Sequence, residues 1–237
     1  MPPRSALWKS IADTLSGEIA SGHYRPGDRL PTEAQLSTRF GVNRHTVRHA
    51  LASLAETGTL HARRGAGVFV TQAPQSYPLS RRVRFHQNVA ASGRTPSRQI
   101  LRLETRPCDD REAAELDLTP GTPVHVMEGL SLADGQPLAA FRSVFPAAAL
   151  PGLLAELEKT GSVTAALAAC GVADYTRAST RLTATTARPT LALQLRLAEG
   201  APILRSVAVN IDALGRPVEY GTTWFAGDRV ELTVAPE

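Results

Sequence analysis

Four long hydrogen-bond donors fall together in one short stretch: Arg44, His45, Arg48 and His49, within Gly41-Val42-Asn43-Arg44-His45-Thr46-Val47-Arg48-His49-Ala50-Leu51. Arg44 and Arg48 are four apart, which makes them neighbours on a helix surface, and two like charges side by side favour an anion between them. The phosphates and guanine edges of a DNA duplex would supply one. A charged helix face is also often nothing more than a solvated surface, so the surrounding elements have to decide. Val47, Leu51 and Leu54 recur at i, i+4 and i+7 as an apolar stripe on the other side. Asn43 is a residue type that caps a first helical turn. The stretch reads as a helix with one core face and one donor face.

The flanking segments point the same way. Thr32-Glu33-Ala34-Gln35, after Pro31, is a capping-box pattern that opens a short helix carrying Leu36 and Phe40. Gly41 permits the tight bend between two helices of a helix-turn-helix. An earlier helix carries Leu7, Ile11, Leu15 and Ile19. Leu60-His61-Ala62-Arg63 and Val68-Phe69-Val70-Thr71 read as two short strands joined by Arg64-Gly65-Ala66-Gly67, a basic hairpin. Three helices and then two strands describe a winged helix-turn-helix over residues 1–73.

A second set of residues suits a small anion, which needs convergent Arg, hydroxyl and N–H donors. The candidates are His86, Ser97, Arg142, Ser143, Arg177 and Arg181. Arg177, Ser179 and Arg181 are spaced by two, so on a regular strand they share one face; that face is either solvent or ligand. Residues 74–88, with prolines at 74 and 78, are expected to be a linker. The run Arg81-Arg82-Val83-Arg84 within it has three open readings: solvated surface, DNA-backbone contact, or part of an anion site.

Residues 89–237 alternate strand and helix signals. Strands are expected at 100–108, 124–132, 137–145, 176–186, 202–212 and 218–234, with helices at 110–116, 150–157, 162–170 and 190–197. Asp134-Gly135 is a strong hairpin signal. Hairpin-linked strands with helices between them indicate an α+β domain on a mainly antiparallel sheet.

Residues 1–106 carry 16 Lys and Arg against 6 Asp and Glu, whereas residues 107–237 carry 10 against 16. That asymmetry suggests one domain for DNA and one for something else. Cys108 and Cys170 stand far apart, without metal-ligand spacing, and are expected as reduced thiols. No metal or other cofactor is expected. Nucleophile-elbow, phosphate-loop and dinucleotide-binding patterns are absent, so no catalytic residue is assigned. No apolar run reaches signal-peptide or membrane-span length, and the chain is expected to be soluble and cytoplasmic, with no membrane partner.

Several motifs carry a family resemblance. Gly22-His23-Tyr24-Arg25-Pro26-Gly27-Asp28-Arg29-Leu30-Pro31-Thr32-Glu33, Phe40-Gly41-Val42-Asn43-Arg44 and Gly58-Thr59-Leu60 resemble the N-terminal domain of GntR-family bacterial regulators. The resemblance implies operator contacts by Arg44, His45, Thr46 and Arg48, with Thr32 and Arg64 beside them, and a wing tip at Gly65 reaching the minor groove. Many relatives carry Arg where this chain has Ala34.

Ser92-Gly93-Arg94-Thr95-Pro96, Leu118-Thr119-Pro120-Gly121-Thr122-Pro123-Val124, Leu197-Ala198-Glu199-Gly200-Ala201-Pro202 and Pro217-Val218-Glu219-Tyr220 resemble the UTRA effector domain of the HutC subfamily, which has the chorismate lyase fold. That likeness implies a homodimer on an inverted repeat of double-stranded DNA, with repression relieved by a small effector. Glu219 and Phe225 would contact the effector's non-anionic part. Sugar-phosphate-binding relatives carry two arginines at positions matching Gly129 and Ser131; without them, the anion falls to Arg142, Arg177 and Arg181. Val42-Asn43-Arg44-His45-Thr46-Val47-Arg48, Tyr77-Pro78-Leu79 and Arg84-Phe85-His86-Gln87-Asn88 further resemble regulators of phosphonate-uptake and carbon–phosphorus lyase genes. The expected effector is thus an anionic metabolite, a phosphonate or phosphate ester. The alternatives are a sugar-phosphate (amino-sugar) regulator of the same family, or an enzyme of chorismate-lyase-like fold fused to a DNA-binding domain.

Overall fold

The computed structural model describes residues 4–63, 67–71, 74–82 and 85–234. It divides into two compact units, Met1–Ala73 and Pro74–Glu237.

In the first unit, α1 (Arg4–Ala20), α2 (Glu33–Phe40) and α3 (Arg44–Glu56) precede the antiparallel pair β1 (Leu60–Arg63) and β2 (Gly67–Val70). The capping box forms as its residues dictate. Thr32 accepts from the Gln35 N–H while the Gln35 side chain accepts from the Thr32 N–H. Gly41 ends α2 at φ 63°, a left-handed conformation that costs glycine least. Val47, Ala50, Leu51 and Leu54 of α3 bury against Ile11 and Leu15 of α1 and Leu36 of α2. The unit therefore has its own core, and the donor face of α3 points away from it.

The second unit is a six-stranded antiparallel sheet in the order β4-β5-β6-β9-β8-β7. Its strands are β4 (Pro96–Pro107), β5 (Pro123–Ala133), β6 (Gln136–Pro146), β7 (Thr176–Thr186), β8 (Pro202–Ile211) and β9 (Pro217–Ala226). Asp134 and Gly135 both have positive φ, 50° and 73°, as the tightest hairpin turn between β5 and β6 requires. Helices α5 (Asp110–Leu116) and α8 (Pro189–Leu195) pack on one face. On the other face α6 (Leu153–Thr160) and α7 (Val163–Ala169) cover Met127, Phe141 and Phe145.

Two expectations need correcting. Residues 74–88 are not a free linker throughout. Gln75–Pro78 forms β3 and pairs in parallel with β10 (Val230–Thr233), and α4 (Phe85–Ala91) follows. Tyr77, Phe85 and Val89 bury against Ala139 and Phe225, and that apolar burial ties the segment to the sheet. The expected single strand 218–234 is also two, because the chain turns after Ala226: the Arg229 N–H donates to the Ala226 carbonyl at 3.0 Å.

Candidate nucleic-acid interface and ligand cavity

Asn43 holds the start of α3. Its Oδ1 accepts from both the N–H and the hydroxyl of Thr46, each at 2.9 Å. Arg44, His45, Arg48 and His49 are exposed beside a helix N-terminus, whose unpaired N–H groups and dipole favour phosphate. Arg48 donates through Nε and Nη2 to the two Glu33 oxygens at 3.0 and 2.7 Å. That hydrogen bond holds the Glu33 carboxyl below its ordinary range and raises Arg48. The pair is well exposed and contributes little stability; its consequence is geometric, aiming the guanidinium from α2. The His49 ring stacks on Trp8 of α1 at 4.2 Å. The sequence reading missed both Glu33 and Trp8, the latter because it lies beside the apolar stripe of α1. Thr32 is exposed, and its hydroxyl is taken up by Gln35. Arg64 and Gly65 lie outside the described residues.

In the second unit a cavity of about 80 Å³ opens between the α6/α7 core and the Tyr77–Phe85 core. Ser131, Ser143, Ser206, Asn210 and Glu219 project into it from the sheet. Arg98 reaches it from the edge strand β4 and Arg177 from the opposite edge, β7, so the sheet curls enough for both edges to line one space. Arg177, Asn210 and Glu219 follow one another in register across β7, β8 and β9. Asn210 Nδ2 donates to Glu219 Oε2 at 2.6 Å and Ser143 Oγ donates to Oε1 at 2.6 Å. The Arg98 guanidinium lies over the Phe141 ring, 5.0 Å from its centroid. Its Nε and Nη1 are buried and have no hydrogen-bond partner among the described residues. Burial lowers the Arg98 pKa, an effect opposed by the nearby Glu219. Burial likewise pushes the Tyr77 hydroxyl up to about 12. A second cavity of about 350 Å³ shares Phe85, Arg98, Val163 and Tyr175 with the first.

Of the residues expected to bind effector, Ser143, Arg177, Glu219 and Phe225 line the first cavity and His86 the second. Burial beside Arg98 lowers the His86 pKa. The other three lie elsewhere. Arg142 alternates with Ser143 along β6, so it faces the α5/α8 side, where it pairs with Glu128 at 2.6 Å. Ser97 is exposed and alternates with Arg98 in the same way. Arg181 pairs with Glu115 of α5. It parts from Arg177 because β7 bulges: Arg177 pairs with Asn210 and Ser179 with Val209, leaving Ala178 as an extra residue. One extra residue reverses the facing of everything beyond it. Of these arginines, Arg98 and Arg177 line the first cavity, and Arg142 and Arg181 do not. Arg98 stands one position from Ser97, and nothing local in the sequence marked its guanidinium nitrogens as enclosed.

The two units have separate likenesses. Residues 7–70 match the bacterial regulatory proteins of the gntR family, and residues 91–231 match the UTRA domain. The chain belongs to the GntR family, in its UTRA-bearing, HutC-like branch. It is 40% identical over 230 residues, 97% of this chain and 94% of the relative, to the uncharacterized HTH-type transcriptional regulator RB1450 of Rhizobium meliloti (strain 1021). It is 32% identical to the probable transcriptional regulator PhnF of Escherichia coli (strain K12), over 96% of this chain and 94% of that one. The crystal structure of PhnF from Mycobacterium smegmatis has the same fold, with a TM-score of 0.66 at 24% identity over 98% of this chain and 99% of that one. This GntR-family chain is accordingly a transcriptional regulator rather than an enzyme. It reads operator DNA with its N-terminal unit and a small molecule with its UTRA domain. No described helix is long and apolar enough to cross a membrane.

Proposed function

We propose that the chain is a homodimeric repressor, bound to an inverted repeat, that is released when a small anion, a phosphonate or phosphate ester, enters the UTRA cavity. The observation that carries this reading is Arg98, a guanidinium in the cavity wall with two buried N–H-bearing nitrogens and no partner for them among the described residues. An unpaired buried donor is costly, and an oxyanion satisfies it with a planar, two-point contact. The segment that follows the DNA-binding unit in sequence is held by β7 and by the loop before it. The Arg177 N–H donates to the Arg81 carbonyl at 2.8 Å, and Arg82 pairs with Asp174 at 2.5 Å. Both contacts fix the segment that follows residue 73. An anion on Arg177 therefore acts next to the chain that leads to Arg44, His45, Thr46, Arg48 and the wing.

The effector shifts operator affinity only by its difference in affinity between the two states of the protein. Calorimetry with inorganic phosphate, phosphonates and sugar phosphates, with and without operator DNA, tests the reading. An anion should bind wild type, lose its affinity in Arg98→Ala, and weaken operator binding. Binding that survives Arg98→Ala refutes the site, and binding that leaves operator affinity unchanged refutes the switch.

A further inference from the structure

Glu219 is only 8% exposed and lines the cavity floor. Its two oxygens accept from the Ser143 hydroxyl and the Asn210 amide, both neutral donors. Among the described residues no Lys, Arg or His lies within ion-pair distance of it. Both oxygens are thus in contact with neutral donors only, while Arg98 acts on Glu219 at longer Coulomb range, and a buried carboxylate without a contacting cation is costly.

Gly221 explains where a cation would sit. It lines the cavity two residues along the same strand. A methyl group there would stand 3.7 Å from Glu219 Oε1 and 4.0 Å from the Ala208 carbonyl oxygen. Oε1 therefore faces open space above Gly221. The charges lining the cavity are Arg98, Arg177 and Glu219, two positive and one negative. A dianionic oxyanion group carrying one ammonium has the complementary net charge and matches the signs site by site.

We propose that the effector is a small zwitterion, a phosphonate or phosphate monoester with a primary ammonium. Its oxyanion meets Arg98 and its ammonium meets Glu219 Oε1 over Gly221. A hydroxyl is the weaker match, because Glu219 already receives two neutral donors and what it lacks is a charged donor in contact. This inference rests on the anion reading above and narrows it.

The test is calorimetry on the full-length protein near neutral pH with 2-aminoethylphosphonate, 2-hydroxyethylphosphonate, ethylphosphonate and O-phosphoethanolamine. 2-Aminoethylphosphonate should bind at least about tenfold tighter than ethylphosphonate, as a charge-assisted contact warrants. Glu219→Gln should erase that difference while ethylphosphonate keeps its affinity. Comparison with O-phosphoethanolamine then separates a phosphonate from a phosphate-ester source. The wild-type series needs no variant, so it decides the matter whether or not Glu219→Gln folds. If ethylphosphonate binds and the amine adds nothing, or the hydroxyl equals the amine, the zwitterion reading fails alone. If none of the four binds, the anion reading fails and this one with it.

Discussion

Nε and Nη1 of Arg98 have no partner among the described residues, while Glu219, Tyr77 and Tyr175 attract the guanidinium only at Coulomb range. Replacing an incompletely paired buried charge by an apolar residue of similar length is often neutral or stabilising, by about 1 kcal/mol or more. Arg98→Met should therefore leave the thermal midpoint of the ligand-free protein unchanged or raised, and abolish the rise that a phosphonate gives wild type. A large fall in the ligand-free midpoint would show Arg98 to be structural. On the DNA side, Arg44 and Arg48 are the residues whose removal should be felt. Arg44→Ala and Arg48→Ala should each weaken specific operator binding by about 1–3 kcal/mol, the range for a guanidinium reading a base edge. Footprints identical to wild type for both would end the assignment of α3 as the recognition helix.

Elements decide which of several similar residues reach the cavity. β6 puts Ser143 and Arg142 on opposite faces by simple alternation. β7 does the same to Arg177 and Arg181 through its bulge at Ala178. These placements separate three arginines that look alike in the sequence. Arg177→Ala should weaken anion binding by about 1.5–3 kcal/mol, the range for a hydrogen bond to a charged group. Arg142→Ala and Arg181→Ala should leave the binding isotherm unchanged. Their loss removes the exposed pairs with Glu128 and Glu115, each worth under about 1 kcal/mol of stability. A binding loss with Arg181→Ala equal to that with Arg177→Ala would mean the bulge is misplaced.

At the scale of the whole chain, the charge boundary near residue 106 falls inside the second unit, and the DNA-binding unit by itself carries 9 Lys and Arg against 5 Asp and Glu. The unit Met1–Ala73 buries its own core, with Leu15, Leu36 and Val47 fully enclosed. A fragment of residues 1–73 should therefore fold as a winged helix by itself. It should bind operator much more weakly than the full chain if, in the proposed homodimer, the second unit supplies the dimer contacts and hence the avidity of two half-sites. Gel shifts of fragment and full chain over a salt series measure this. Equal affinity would sink the proposal that residues 74–237 hold the dimer together. Affinity should fall steeply with salt in both, since arginine–phosphate contacts release counterions.

The sequence alone determined whatever is set by near neighbours. The cap at Asn43, the box at Thr32 and Gln35 and the turn at Asp134-Gly135 depend on residues two or three apart, and all were legible. So were the two domain types and the donor face of α3, which periodicity exposes. Tertiary structure decided the rest. Residues 74–88 read as a linker because the partner that folds them, β10, lies at the far end of the chain. Arg181 read as a companion of Arg177 because a bulge leaves no mark in residue spacing. Arg98 was passed over because its burial comes from Phe85 and Phe141, side chains delivered by α4 and β6. Whether distant elements exclude water from a charge is decided by the fold, and residue spacing does not carry it.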